Sequence, residues 1–272
     1  MEKNISVIIS TYNSPEWLQK VLWGYNTQTY RNFEVIIADD GSSQETFDLI
    51  ESIKGELFYP VNHIWHEDIG FRKTIILNKA LLAASAEYII MTDGDCVPRE
   101  DFVEKHFLFA EEGYFLSGGY HKLPSLTSQI IKKEDIYSGK SFKVSWLIDN
   151  EMNKSPKNIK LKIRGLLHFM FNKFTPTNSS WNGHNASGWK KDMLAVNGFD
   201  ERMQYGGEDR EFGERMTNNG ILSKQIRYSA ICLHLDHPRG YVKPEMIENN
   251  QRIRHETKLL KKKWSDFGIN KN

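Results

Sequence analysis

Over the first 125 residues, short apolar runs alternate with helical repeats. Residues 5–10 form a β-rich apolar run, read as a buried strand. Ser14-Pro15-Glu16 then supplies an N-cap and a first-turn proline. Leu18, Val21, Leu22 and Tyr25 follow at helical spacing. Residues 34–38 make a second strand. Ser42 with Glu45 three residues on reads as a capping box, opening a helix through Phe47, Ile50 and Ile53. Residues 62–66 give a third strand, 71–84 a helix, 87–92 a fourth strand, 98–112 a helix and 114–119 a fifth strand.

This βαβαβαβαβ order predicts an α/β fold with a mostly parallel sheet and helices on both faces. In such sheets ligands bind beyond the carboxyl ends of the strands. Those ends carry Thr11-Tyr12-Asn13, Asp39-Asp40-Gly41-Ser42, Glu67-Asp68 and Asp93-Gly94-Asp95. Four polar, acid-rich segments therefore converge on one edge. From residue 120 to 175 the alternation breaks into lysine-rich loops with one or two helices, ending in the apolar stretch 164–174 (RGLLHFMFNKF). Residues 176–190 are turn-rich. Short helices are expected at 192–197 and 208–218, a strand at 226–234 and a polar, basic helix at 245–264.

Asp93 and Asp95 flank a glycine after an apolar run, an arrangement that suits a hard divalent cation, Mn²⁺ or Mg²⁺. An acidic turn is the plainer reading. Asp39-Asp40 is either a turn or a carboxylate that accepts a base N–H. Glu208 and Asp209 follow Gly206-Gly207 at a helix start, where the dipole favours acids; they also make a general base with its neighbour. In CLHLDHPRG, His234 and His237 follow an apolar run, and a histidine there either is structural or completes a metal site with a carboxylate.

Composition narrows the class. The chain has 272 residues, 26% charged and 12% aromatic, which excludes disorder as its main state. No apolar run approaches the roughly 18 residues of a membrane span. The run at 5–10 begins without a signal peptide, and Cys96 and Cys232 alone make no disulfide framework; both fit a cytoplasmic setting. A net charge of +1 argues against nucleic acid as a partner. That +1 hides a split, with net +6 over 131–175, +4 over 243–272 and −9 elsewhere.

Five segments together carry a family likeness: VIISTYN (7–13), VIIADDGS (35–42), DIGFRKTIILNKAL (68–81), EYIIMTDGD (87–95) and NGFDERMQYGGEDREFGERM (197–216). The chain resembles family-2 glycosyltransferases of the GT-A fold. The last of these segments resembles the galactosyltransferase-type C-terminal block also seen in bacterial chondroitin-polymerase-like enzymes. The likeness covers about residues 4–120 and 180–240.

It implies a nucleotide-sugar-binding half over 1–120, an acceptor-binding and catalytic half over 121–242, and a basic C-terminal helix or tail over 243–272. Thr11, Tyr12 and Asn13 would line the nucleotide pocket and Asp40 would bind the uracil edge. Arg72 and Asn78 would contact base or phosphate, Asp93 and Gly94 would approach the ribose and phosphate, and Asn185 would lie near the sugar. Asp209, with Glu208 beside it, matches the catalytic base, and Asp95 and His234 match the metal ligands. The expected reaction moves a hexose or N-acetylhexosamine from a UDP-sugar to a hydroxyl of a growing surface glycan. One base without a paired nucleophile implies inversion.

The basic segments suit an anionic acceptor such as a lipid-linked diphosphate sugar at the inner membrane face. The stretch 164–174 then either touches that membrane or packs in the core or a dimer seam. A non-catalytic glycan- or nucleotide-sugar-binding protein on the same fold is the rival. TYNSPEW after the first strand has neither the glycine nor the lysine of a phosphate loop, which argues against a metal-dependent nucleotidyltransferase, the main enzyme rival.

Overall fold

The computed structural model describes residues 5–238, 240 and 242–271. The strands are β1 (Ile5–Thr11), β2 (Phe33–Asp39), β3 (Val61–Trp65), β4 (Tyr88–Asp93), β5 (Cys96–Pro98), β6 (Tyr114–Ser117), β7 (Gly119–Lys122), β8 (Asn185–Trp189), β9 (Leu222–Gln225) and β10 (Ile231–His234). The longer helices of the first half are α1 (Pro15–Asn26), α2 (Gln44–Ile53), α3 (Lys73–Ala83) and α4 (Phe102–Phe109). Short helices α5 (Ser125–Ile130), α6 (Lys133–Tyr137), α7 (Val144–Asp149), α8 (Ile159–Lys162) and α9 (Leu167–Phe174) fill the lysine-rich middle. The chain ends with α10 (Lys190–Ala195), α11 (Glu208–Asn218) and α12 (Pro244–Leu259).

Seven strands form one sheet in the order β3-β2-β1-β4-β8-β6-β9. Its β1–β2, β1–β4, β2–β3 and β6–β9 pairings are parallel, and only β8 runs against its neighbours. A small sheet, β5-β10-β7, stands beside it. Successive residues of a strand face opposite sides of a sheet. Ile5, Val7 and Ile9 of β1 therefore join one core with Leu18, Val21, Ile50 and Phe102, while Ile8 joins a second with Ile76, Leu81, Trp181 and Phe212. Burial on both faces explains why these strands read as continuous apolar runs. Among the described residues no helix is long and apolar enough to cross a membrane, and Cys96 and Cys232 are both free and buried.

Several expectations need correction. The fifth strand is two, split at Gly118. A Cβ on Gly118 would lie 1.9 Å from Asn185 Oδ1, and the close approach lets the chain leave the large sheet for the small one. Of the expected strand over 226–234 only Ile231–His234 forms a strand, β10; residues 226–230 make a turn in which Ala230 N–H donates to Ile226 O at 3.0 Å, and β9 lies before them, where no strand was expected. Strand β8 falls in the stretch read as turn-rich; its small residues, Asn-Ala-Ser-Gly, suit a slot between two strands rather than β propensity. The helix expected over 98–112 starts only at Phe102, because Pro98 closes β5. The capping box at Ser42 is absent: α2 starts at Gln44 after Ser43, whose side chain makes no capping bond. Ser42 instead accepts the Asn13 N–H at 2.8 Å and donates its own N–H to Asp39 Oδ1 at 2.8 Å.

Candidate active site

The carboxyl ends of β1 to β3 build one polar wall. Asp40 is buried, its Oδ1 paired with His66 Nε2 at 2.8 Å and its Oδ2 accepting the Arg72 N–H at 3.0 Å. Burial pushes its carboxyl up, against the pull of His66 and Arg72. The Tyr12 hydroxyl donates to Asp68 Oδ2 at 2.8 Å, and that bond raises the phenol further. Asn13 sits at φ +45° and accepts the Ser43 N–H on its Oδ1 at 2.8 Å. The Arg72 guanidinium donates to Glu67 O, and its buried Nε has no partner among the described residues. Thr11 Oγ1 is likewise buried and unpartnered. Gly94 lies against it, since a Cβ there would come 3.1 Å from Thr11 Oγ1 and 3.0 Å from Ser10 O.

The turn after β4 leads to a second group. Asp93 Oδ1 accepts from Ser10 Oγ at 2.7 Å and from Lys73 Nζ at 2.6 Å. Burial would lower the Lys73 ammonium, but Asp93, Glu208 and Asp209 outweigh it and hold the ammonium above its ordinary range. Burial would likewise raise the Asp93 carboxyl, but Lys73 and Ser10 hold it well below the usual carboxylate range. Glu208 is pushed up to about 7 by burial and by Asp209, against Lys73. Its Oε2 accepts the Gly206 N–H at 2.9 Å. Asp209 Oδ2 accepts the Gly183 N–H at 3.0 Å, and a Cβ on Gly183 would lie 3.6 Å from Lys73 Nζ. His184 lies among Asp93, Asp209, Asp95 and His234: burial lowers its imidazole, while the three carboxylates pull it up and His234 pushes it down.

Segments distant in the chain thus meet around Lys73 and His184. Neither residue stands out in sequence. Lys73 follows the Gly-Phe-Arg motif as an ordinary helix-start lysine, and His184 precedes the asparagine that draws attention.

A third group fits a cation. Asp95 Oδ2 lies 2.8 Å from His237 Nε2 and 3.6 Å from His234 Nε2. The three potential ligand atoms are all within 4.8 Å of one another. His234 Nδ1 is 2.9 Å from Leu235 O and His237 Nδ1 is 3.0 Å from Pro238 O. A carbonyl only accepts, so each Nδ1 donates there and each ring turns its Nε2 toward the Asp95 carboxylate, where a cation held by all three groups would stand between them. His237 joins the sequence-expected pair because the turn after β10 folds back on Asp95.

Two expected donor residues do not belong to this surface. The Asn78 amide is spent inside the protein, donating to Phe199 O at 2.9 Å and Glu201 Oε1 at 3.1 Å and accepting the Phe199 N–H at 2.8 Å. Asn185 is fully buried, donating to Gly119 O at 2.8 Å and Ala230 O at 3.1 Å while its Oδ1 pairs with His106 Nε2 at 2.9 Å. Both are fasteners between elements; neither amide has a group left for a ligand.

Beyond His184 opens a cleft of about 330 Å³, lined among others by Tyr120, Asn178, Asn182, Arg210 and Arg227. Asn182 Oδ1, Gln225 Oε1 and Arg227 Nε in its wall are buried without a partner among the described residues. Such groups are costly unless something binds them.

The model of glycosyl transferase family 2 matches residues 6–174, and that for the N-terminal domain of galactosyltransferase matches 167–238. The uncharacterized glycosyltransferase YfnE of Bacillus subtilis strain 168 is 28% identical over 281 residues, which cover 90% of this chain and 68% of that protein. Chondroitin synthase of Escherichia coli is 26% identical over 256 residues, covering 86% of this chain but only 35% of the synthase. Among solved structures, S. aureus TarS (1–349) in complex with UDP-GlcNAc superposes with a TM-score of 0.62 at 18% identity, covering 92% of this chain and 65% of that one. The family match over more than half of the chain, with the strand-end site behind it, assigns the protein to glycosyltransferase family 2: it is a glycosyltransferase of the GT-A fold.

Proposed function

We propose that the protein moves a hexose or N-acetylhexosamine from a UDP-sugar to a hydroxyl of a growing surface glycan (polysaccharide, O-antigen or lipo-oligosaccharide), with inversion at the anomeric carbon. The observation that carries this is the meeting of Asp93, Glu208, Asp209 and the Asp95–His234–His237 group around Lys73 and His184. The UDP-GlcNAc complex of a structural neighbour supports a UDP-sugar donor. The galactosyltransferase match over 167–238 favours galactose or its N-acetyl form.

Asp40 still has lone pairs for the uracil N–H, with Thr11, Tyr12 and Asn13 beside it. Arg72 offers its guanidinium to the diphosphate. Asp93 and Gly94 meet the ribose. Asp95, His234 and His237 would hold the divalent cation. Two imidazoles beside one carboxylate favour Mn²⁺ over Mg²⁺. When bound, the cation offsets charge on the departing diphosphate as a Lewis acid.

Asp209, fixed by the Gly183 N–H, takes the proton of the attacking hydroxyl. The bond from the anomeric carbon to the acceptor oxygen forms as the bond to the diphosphate breaks, and UDP leaves. Glu208, partly protonated near neutral pH, stands beside Asp209 without competing as a nucleophile. The cleft beyond His184 receives the acceptor, which a lipid carrier presents at the inner membrane face of the cytoplasm.

Thermal-shift screening against UDP-sugars, with and without Mn²⁺, tests the reading. Stabilisation by a UDP-hexose that requires Mn²⁺ supports it; indifference to every nucleotide sugar refutes it.

A further inference from the structure

Helix α9 is inside out. Leu167, Met170, Phe171 and Phe174 recur at the i, i+3, i+4, i+7 spacing of one helical face, and all four are exposed. Leu166 just before the helix and Phe174 near its end are 83% and 73% exposed. The side turned to the protein is polar. His168 is buried, with Nδ1 2.9 Å from Ser229 Oγ. Asn172 donates to the same oxygen at 2.7 Å and accepts the Tyr228 N–H at 2.9 Å. A surface helix of a water-soluble domain normally has the opposite arrangement. A contiguous apolar patch of this kind marks a binding surface.

Charge decides what covers it. From 152 to 191 the chain has eight Lys and Arg and no Asp or Glu. Arg164 pairs with Glu100 at 2.8 Å, but among the described residues Lys154, Lys157, Lys160, Lys162 and Lys173 enter no ion pair. The Lys160 ammonium is lowered to about 8 by burial, Arg227 and Lys157, a crowd of cations without counter-charge. A second copy of the chain would set this run against itself. An anionic bilayer answers both features, with acyl chains for the apolar face and headgroups for the lysines.

We propose that α9 is a membrane-docking element that sinks Leu166, Leu167, Met170 and Phe174 into the interface of an anionic bilayer, with Lys162 and Lys173 at headgroup level. None of these residues belongs to the active site, so the docking surface stands without the donor chemistry. Its purpose does rest on the proposed transferase function. Phe171 packs on Tyr228 with ring centroids 5.3 Å apart, and the Arg227 guanidinium donates to Thr177 Oγ1 in the cleft wall. The docked face therefore adjoins the cleft that leads to His184, and a lipid-carried hydroxyl reaches it from the plane of the bilayer.

Co-sedimentation of the full chain with phosphatidylcholine vesicles, with and without phosphatidylglycerol, tests this. The chain should sediment with the anionic vesicles, less so at high salt. The double variant Leu167→Glu/Phe174→Glu should bind about tenfold more weakly or worse, with its thermal midpoint kept because both side chains are exposed. Lys162→Glu/Lys173→Glu should lose the anionic preference. Failure of the wild type to bind anionic vesicles, or equal binding by the double variant, overturns the proposal. So does a dimer that the double variant dissolves in the absence of vesicle binding. Transfer to a soluble oligosaccharide, run in parallel, should survive the double variant. No turnover by a wild type that still binds vesicles would refute the transferase reading and leave the docking surface standing.

Discussion

Lys73 balances the charge of three carboxylates at once, and a lysine in that position can be tested by deletion. Lys73→Met leaves Asp93, Glu208 and Asp209 facing one another without a cation. Both members of the Lys73–Asp93 pair keep some exposure, so the expected loss is about 1–3 kcal/mol, below the value for a fully buried pair. The folded-state pKa of Asp93 is depressed, so its contribution is present above the ordinary carboxylate range and is lost as pH falls. Urea denaturation should therefore show the wild type and variant far apart at neutral pH and converging in acid.

Glu208 has the opposite sign. Its carboxyl is raised to about 7, so it contributes stability below the ordinary carboxylate range that is lost as pH rises toward 7. Glu208→Gln should be close to the wild type at low pH and more stable by about 1–2 kcal/mol at mildly alkaline pH. Thermal melts in chelator across that range read the difference, and a constant gap at every pH would contradict the assignment. The carboxylates of this cluster were legible in the sequence, because strand-end acids and a Gly-Gly-Glu-Asp helix start are local patterns. His237 was legible only as a candidate beside His234, and Lys73 and His184 were not legible. Each matters through neighbours far away in the chain. By the same logic Asn78 and Asn185 looked like ligand contacts, although their partners, on residues 199–201 and on Gly119, Ala230 and His106, lie in the interior.

At the scale of elements, α11 has to hold Glu208 and Asp209 at its first turn. Its anchor is Arg215, fully buried, which donates to both Glu211 carboxylate oxygens, to Val196 O and to Gly198 O. Thr257 of α12 donates to Glu211 Oε1 at 2.8 Å and completes the network. Arg215→Leu would strand the Glu211 carboxylate in the core and cost about 3–5 kcal/mol. Chemical denaturation decides it, and a loss under about 1 kcal/mol would mean that the network does not carry the helix. The parallel half of the sheet was readable because buried strands and amphipathic helices advertise themselves by period. Strands β8 and β9 were not, because β8 between β4 and β6 is mostly small residues without β propensity, and β9 is a short edge strand beside β6.

For the whole molecule, strand ends, α11 and the β10 turn converge on one side of the large sheet, and ligands there should stabilise all of it at once. Mn²⁺ at a hundredfold excess over its dissociation constant should add about 2.7 kcal/mol. His237→Ala should abolish most of that gain without lowering metal-free stability by a similar amount; an unchanged Mn²⁺ response would remove His237 from the metal group. The most direct test of the account is UDP release from a panel of UDP-hexoses and UDP-N-acetylhexosamines with Mn²⁺ and oligosaccharide acceptors, comparing the wild type with Asp209→Asn. The account predicts that the variant keeps its Mn²⁺-dependent thermal shift with UDP but releases UDP at least about a hundredfold more slowly. Undiminished turnover in Asp209→Asn would contradict it.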